Sequence, residues 1–388
     1  MPTQCRSGLS RVQSLGSRAH HVTSWGLVLL LAACWPGCAP QSDDGPGGAG
    51  VNSTGGRAAT GGAAAGGSPG GASFPCAALP VTPGASTQAK KLLCYIYGLY
   101  GNHVLSGQQE TSWSNPAGDI SWYTTNGLKA PAILGGDLMY RDGASCSAVT
   151  ATTNRAIAYW KAGGISMIRY HMGMPAPGLT CAQDCYQGTN CAESTPSGNA
   201  LDNAVKAGTA ENTSLLAKLD YVAVQLKALQ DANVPVILAL FHEVQPNGWF
   251  WWSKGTATQF VALWKLGFDY LTTTKGLTNI IWLMPYSGLS GVGAPIAPYF
   301  PGKAMVDLSG PDYQNDSGTF NKVKTAVGST LPIALHESNA VNPAAWFPAS
   351  PFVLWNIWAG YQKNAAATVK TAHGDAHTIT RDMVPNLQ

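Results

Sequence analysis

The chain has 388 residues, 45% of them hydrophobic and only 11% charged, with a formal net charge of +3. That balance gives no basic patch for nucleic acid, and the charged share is far below the roughly 25% usual in globular proteins, so a neutral ligand is expected. The length suits one α/β barrel of about 250 residues with additions.

In chain order, Arg6, Arg11 and Arg18 precede an apolar stretch over 25–33 that is too short to span a bilayer as a helix. Leu31-Ala32-Ala33-Cys34 resembles a bacterial lipobox, in which the cysteine is lipidated and becomes the new terminus. Residues 1–34 therefore read as an export signal; ordinary cleavage after a small residue nearby is the alternative. Residues 35–83 form a linker rich in Gly, Ala, Ser and Pro, most strongly over 41–72, with too few large apolar groups to bury a core. Such a stretch behaves as a flexible tether. It would hold a single catalytic domain, residues 84–388, away from a membrane reached only through a lipid on Cys34. The expected location is a cell surface or outer membrane, or the medium if the lipobox is unused.

Export also exposes cysteines to an oxidising compartment. Cys5 and Cys34 belong to the signal and Cys38 to the linker. Cys76 is expected to pair with Cys94, while Cys146, Cys181, Cys185 and Cys191 staple the loop after the third strand. A zinc cluster at Cys181, Cys185 and Cys191 is the weaker reading, because the spacing lacks a paired CxxC.

Beyond residue 83, short apolar strands alternate with amphipathic helices. Strands are predicted at 103–106, 132–135, 165–170, 236–241, 280–284, 304–308, 333–335 and 352–355. The clearest helices are predicted at 214–231, with Leu215, Leu219, Val222, Leu226 and Leu229 on one stripe, and at 256–273 through Phe260, Leu263, Trp264 and Tyr270. Buried strands alternating with helices imply a parallel sheet, and this number implies closure into a (β/α)8 TIM barrel. An open doubly wound sheet is the runner-up, disfavoured because no GxGxxG or GxxxxGK[ST] follows the first strand.

Two of these strands end alike, in His242-Glu243 and in His336-Glu337. In such a barrel the carboxyl ends of all strands share one rim, so the two glutamates would meet there. A separation of ~5 to 5.5 Å would suit retaining glycoside hydrolysis, with Glu243 protonating the leaving oxygen and Glu337 attacking the anomeric carbon. Either glutamate alone would read as a structural salt bridge; the repeat favours catalysis. His171, closing the third strand, and His242 are candidates to donate to the sugar or to a catalytic carboxylate, against the alternative of core histidines. Tyr313 is placed to orient Glu337, although Pro311-Asp312 is also a common turn. Sugar rings stack on broad indoles, and Trp249 and Trp358 are expected to face the cleft, with Trp251 or Trp252 packed beneath. Asp137 and Arg141 read as surface residues rather than cleft residues.

At these residues the chain resembles glycoside hydrolase family 26, whose best-known members are endo-β-1,4-mannanases. The resemblance runs from about Thr87 to the carboxyl terminus. It rests on His242-Glu243 followed by Gly248-Trp249-Phe250-Trp251-Trp252, on Val104-Leu105-Ser106-Gly107-Gln108-Gln109, on Tyr299-Phe300-Pro301-Gly302 and on Asp312-Tyr313. It implies Glu243 as acid/base, Glu337 as nucleophile, His171 and His242 as contacts of the reactive subsite, Tyr313 as partner of the nucleophile, and Trp249 and Trp358 as sugar platforms. The chain departs from the family's usual pattern at Ala239, where arginine is common, and at His336-Glu337-Ser338-Asn339. The expected protein is a monomer that acts on a β-mannan-type polysaccharide without cofactor or metal. β-1,3-Xylan or mixed-linkage β-glucan is the alternative substrate, and a carbohydrate-capturing lipoprotein without turnover the non-enzymatic alternative.

Overall fold

Parallel pairing dominates the molecule, a computed structural model that describes residues 76, 78–110, 118–139, 150–177, 185, 187–288, 294–313, 315–347 and 349–388. The signal region with Cys34, most of the linker, Arg141, Cys146 and Cys181 lie outside these residues.

Eight strands form one sheet: β1 (Gly107–Gln109), β2 (Ile133–Asp137), β3 (Ile165–Arg169), β4 (Val236–Ala239), β5 (Ile280–Tyr286), β6 (Leu308–Pro311), β7 (Leu335–Ser338) and β8 (Trp355–Ile357). Neighbours in chain order pair in parallel from β1 to β6 and from β7 to β8, and β8 returns to β1 through Gln108 and Ile357. Parallel bridges from Ser309 to Ile333 and from Asp312 to Glu337 join β6 to β7, completing the ring of the expected TIM barrel. Gly310 lies in this seam, where a Cβ would overlap the Ala334 backbone. Only glycine permits that approach.

Helices cover the outside. The longest among the described residues, α5 of the ten there (Ala210–Asp231), starts at Thr209, whose hydroxyl accepts from the Asn212 N–H, and buries the expected stripe from Leu215 to Leu229. The next, α6 (Ala257–Asp269), has a Thr256–Gln259 capping box and runs into a π-turn at Tyr270–Thr274. Cys76 is bonded to Cys94 in α1 (Thr87–Leu99), and Cys185 to Cys191 in the segment after β3. No helix among the described residues is long and apolar enough to cross a membrane.

Four strands lie further along the chain than predicted. Residues Val104–Leu105 pair with Thr378–Ile379 in a short separate ladder, Leu105 also bridges to Leu354, and β1 follows them. The strands β6, β7 and β8 likewise begin at or near the ends of the apolar runs over 304–308, 333–335 and 352–355. Apolar runs mark the lower part of each barrel stave. The upper part carries Gln108, Gln109, His336, Glu337 and Asn356, all fully or almost fully buried, which a search for apolar runs passes over.

Candidate active site

Beyond β4 the chain continues through Leu240 and Phe241 to His242, then turns at Glu243, whose φ of 53° lies in the left-handed region. A bulky non-glycine residue there is rare and tends to mark a functional position. The chain then rejoins the sheet, with the Val244 N–H donating to Pro285 O at 3.1 Å. The next turn brings the Trp249 indole N–H onto Glu243 Oε2. Burial pushes the Glu243 carboxyl up to about 7, with the Trp249 N–H and the Arg169 charge opposing and Glu193 adding.

Glu337 lies within β7 and is gripped through its backbone and its side chain. Its N–H donates to Asp312 Oδ1 at 2.9 Å, and its carbonyl accepts the Tyr313 N–H at 2.7 Å. Tyr313, itself at φ 59°, turns its phenol back to donate to Glu337 Oε2 at 2.7 Å. Arg169, at the end of β3, sets its Nη1 against Glu337 Oε1 and donates from Nη2 to His336 O at 3.3 Å. Glu337 is 1% exposed and Glu243 4%, so neither carboxylate is diluted by bulk water. The Arg169 charge reaches both of them.

A chain of polar contacts runs beneath. His171 Nδ1 meets Asp137 Oδ2, and its Nε2 lies 3.0 Å from His242 Nε2, which is 3.8 Å from Glu337 Oε1. One of the two facing Nε2 atoms must carry the shared proton. Burial, reinforced by nearby positive charge, holds the His242 and His336 imidazoles well below the usual histidine range, so both are neutral near pH 7. Burial acts to raise the Asp137 carboxyl, but His171 outweighs it and holds the group below its ordinary value. Asp312 is pushed well above its ordinary value by burial, with the Glu243 charge adding and Arg169 opposing. His336 Nδ1 lies 2.9 Å from Asp312 Oδ1.

The aromatic residues differ in exposure. Trp249 is 45% exposed, while Trp251 and Trp252 are buried, their indole N–H groups donating to Met172 O at 2.9 Å and His242 O at 2.8 Å. Half-buried Trp358 stands edge-on to His171 with ring centres 6.2 Å apart, and the Arg169 guanidinium lies 5.3 Å from its centre. Glu243, Glu337, His171, His242, Trp249, Tyr313 and Trp358 thus belong to one connected cluster.

Asp137 corrects the sequence reading: it is not a surface residue but fully buried, and it anchors His171. Two participants were passed over. Arg169 is the one charged residue in the buried strand Ile165–Arg169, which is a usable signal. Asp312 looked like a turn residue after Pro311, and only the fold shows that it is buried against β7.

Among the described residues two sets, His171-His242-Glu337 and Asp312-His336-Glu337, bring potential metal-ligating atoms within 4.8 Å. Arg169 already places a cation on the Glu337 oxygen, so a hydrogen-bond network explains this chemistry better than a metal centre.

The family model for glycosyl hydrolase family 26 matches residues 81–383. A mannan endo-1,4-beta-mannosidase from Thermothelomyces thermophilus is 30% identical over 235 residues, covering 59% of this chain and 45% of that protein. The chain therefore spans less than half of that relative's length. A GH26A structure from a Muricauda species has a TM-score of 0.69 at 26% identity, covering 78% of this chain and 99% of that one. A beta-mannanase from a symbiotic protist of the termite Reticulitermes speratus, solved with gluco-manno-oligosaccharide, has a TM-score of 0.68 at 27% identity, covering 80% and 98%.

Proposed function

The chain belongs to glycosyl hydrolase family 26, and from that membership we propose that it is a retaining endo-β-1,4-mannanase acting on mannan, glucomannan or galactomannan. The observation that carries the mechanism is the unequal environment of the two carboxylates. Glu243 is buried with its carboxyl raised to about 7, which suits a group that must deliver a proton near neutral pH. Glu337 receives the Arg169 guanidinium and the Tyr313 phenol, which suits a group that must stay ionised.

In this reading Glu243 protonates the glycosidic oxygen while Glu337 attacks the anomeric carbon and forms a covalent glycosyl-enzyme. Glu243, now a base, takes a proton from water as the water displaces Glu337 with a second inversion. Tyr313 holds the attacking carboxylate in line. His171 and His242 contact the sugar in the reactive subsite, and Trp249 and Trp358 offer indole surface to the rings on either side. No cofactor enters the scheme.

The choice of mannan rests on the relatives' names and on the gluco-manno-oligosaccharide bound by the termite-protist enzyme. The sequence supports the wider arrangement, also proposed here: an export signal over 1–34, a tether over 35–83 and a monomeric catalytic unit over 84–388, anchored through Cys34 if the lipobox is used.

The test is a panel of β-mannan, β-1,3-xylan and mixed-linkage β-glucan at equal mass, with Glu337→Ala as control. The parent protein is expected to release reducing ends fastest from mannan. The variant should lose at least ~10⁴-fold in rate while still binding the polymer. No release from any of the three by the parent would overturn the enzyme reading; a faster rate on another polymer would overturn the substrate.

A further inference from the structure

Arg169 enters the scheme above only as a contact of Glu337, yet it is a fully buried guanidinium at the heart of the site. A buried cation is costly unless its partners repay the lost hydration. Here the partners include Glu337 Oε1 and the His336 carbonyl, both on β7, whereas Arg169 closes β3. Its side chain therefore crosses the inside of the barrel. Parallel pairing sets Arg169 between Asp137 on β2 and Ala239 on β4, and residues paired in this way project to the same face of the sheet. Asp137 is turned to His171, and Ala239 offers only a methyl group, which leaves room on that side for the long side chain.

We infer that Arg169 is the positioning residue that keeps Glu337 ionised and aimed, and that Ala239 is small to let it cross; this rests on the assignment of Glu337 as nucleophile. The groups around Glu337 are Arg169 and His171 from β3, His242 beyond β4, Asp312 and Tyr313 beyond β6, and His336 on its own strand, while the Glu243 charge acts on Asp312 and Tyr313. Among them Arg169 alone carries a permanent positive charge. Removing it would leave Glu337 close to other acidic groups, in a site where loss of such a partner raises a carboxyl by about 1–3 pH units.

The experiment follows the pH dependence of kcat/KM on a manno-oligosaccharide, with circular dichroism as a check of folding, for Arg169→Met, Arg169→Lys and the transplant Arg169→Met/Ala239→Arg. Arg169→Met should move the acid limb up by at least about one pH unit. The transplant, which restores a guanidinium from the next strand, should bring the limb at least halfway back. Arg169→Lys keeps the charge but cannot reach both partners, and should lower kcat about tenfold with KM within about twofold of the parent. A folded Arg169→Met enzyme with the parent's acid limb, or a folded transplant no better than it, overturns the inference. If neither of these folds, Arg169→Lys decides, and a parent-like kcat overturns it. An inactive parent would instead sink the functional reading itself, which separates the two failures.

Discussion

Glu243 is the residue whose surroundings make the sharpest demand on activity. It must be protonated to serve as the acid, so activity should fall as pH rises through its pKa of about 7. The Trp249 N–H favours the charged carboxylate, and removing it should raise that pKa further. Trp249→Phe is therefore expected to shift the basic limb of kcat/KM to higher pH by about half a unit to one unit, and to raise KM if the indole also carries a sugar. A limb that stays in place would show that the hydrogen bond does not tune the acid. At this scale the sequence was most legible where a motif repeats. The paired His-Glu dipeptides stood out because both close apolar runs, and Trp249 because it follows one of them. Asp312 and Asp137 did not, since a carboxylate next to a strand end has the same local signature whether it points to solvent or inward. Only the fold shows that each is buried against a histidine.

The barrel staves explain why strand existence was readable and strand position was not. At β1 and β7 the apolar run stops short of the polar residues that line the upper barrel, Gln108 and Gln109 in one and His336 and Glu337 in the other. Hydrophobic periodicity therefore finds the stave and misplaces its start, by the greatest margin at β1 and β6. Helices lacked this conflict, and α5 and α6 follow their apolar stripes closely. The seam between β6 and β7 is the element on which most of the site depends, since Asp312 and Tyr313 leave one strand and Glu337 lies on the other. Gly310→Ala would push a methyl group into the Ala334 backbone. It is expected to cost about 1–3 kcal/mol in urea unfolding and to lower kcat more than it raises KM, because it moves the grip on Glu337 rather than the sugar platforms. Parent-like stability would mean that the seam can relax without cost.

On the scale of the whole molecule, the closed ring of parallel strands lets residues from β2, β3, β4, β6 and β7 converge although they are far apart along the chain. The Cys76–Cys94 bond ties the end of the proposed tether to α1, and the Cys185–Cys191 bond braces the segment whose Ala192 carbonyl accepts the Trp251 N–H at 2.8 Å. The convergence carries the central claim, that Glu337 attacks the sugar while Glu243 donates the proton. Two inversions at one carbon restore the original configuration. Proton NMR of the anomeric signals in the first minutes of manno-oligosaccharide hydrolysis, before mutarotation mixes them, tests this directly. The account predicts that the new reducing end appears first as the β-anomer, and its first appearance as the α-anomer would contradict it.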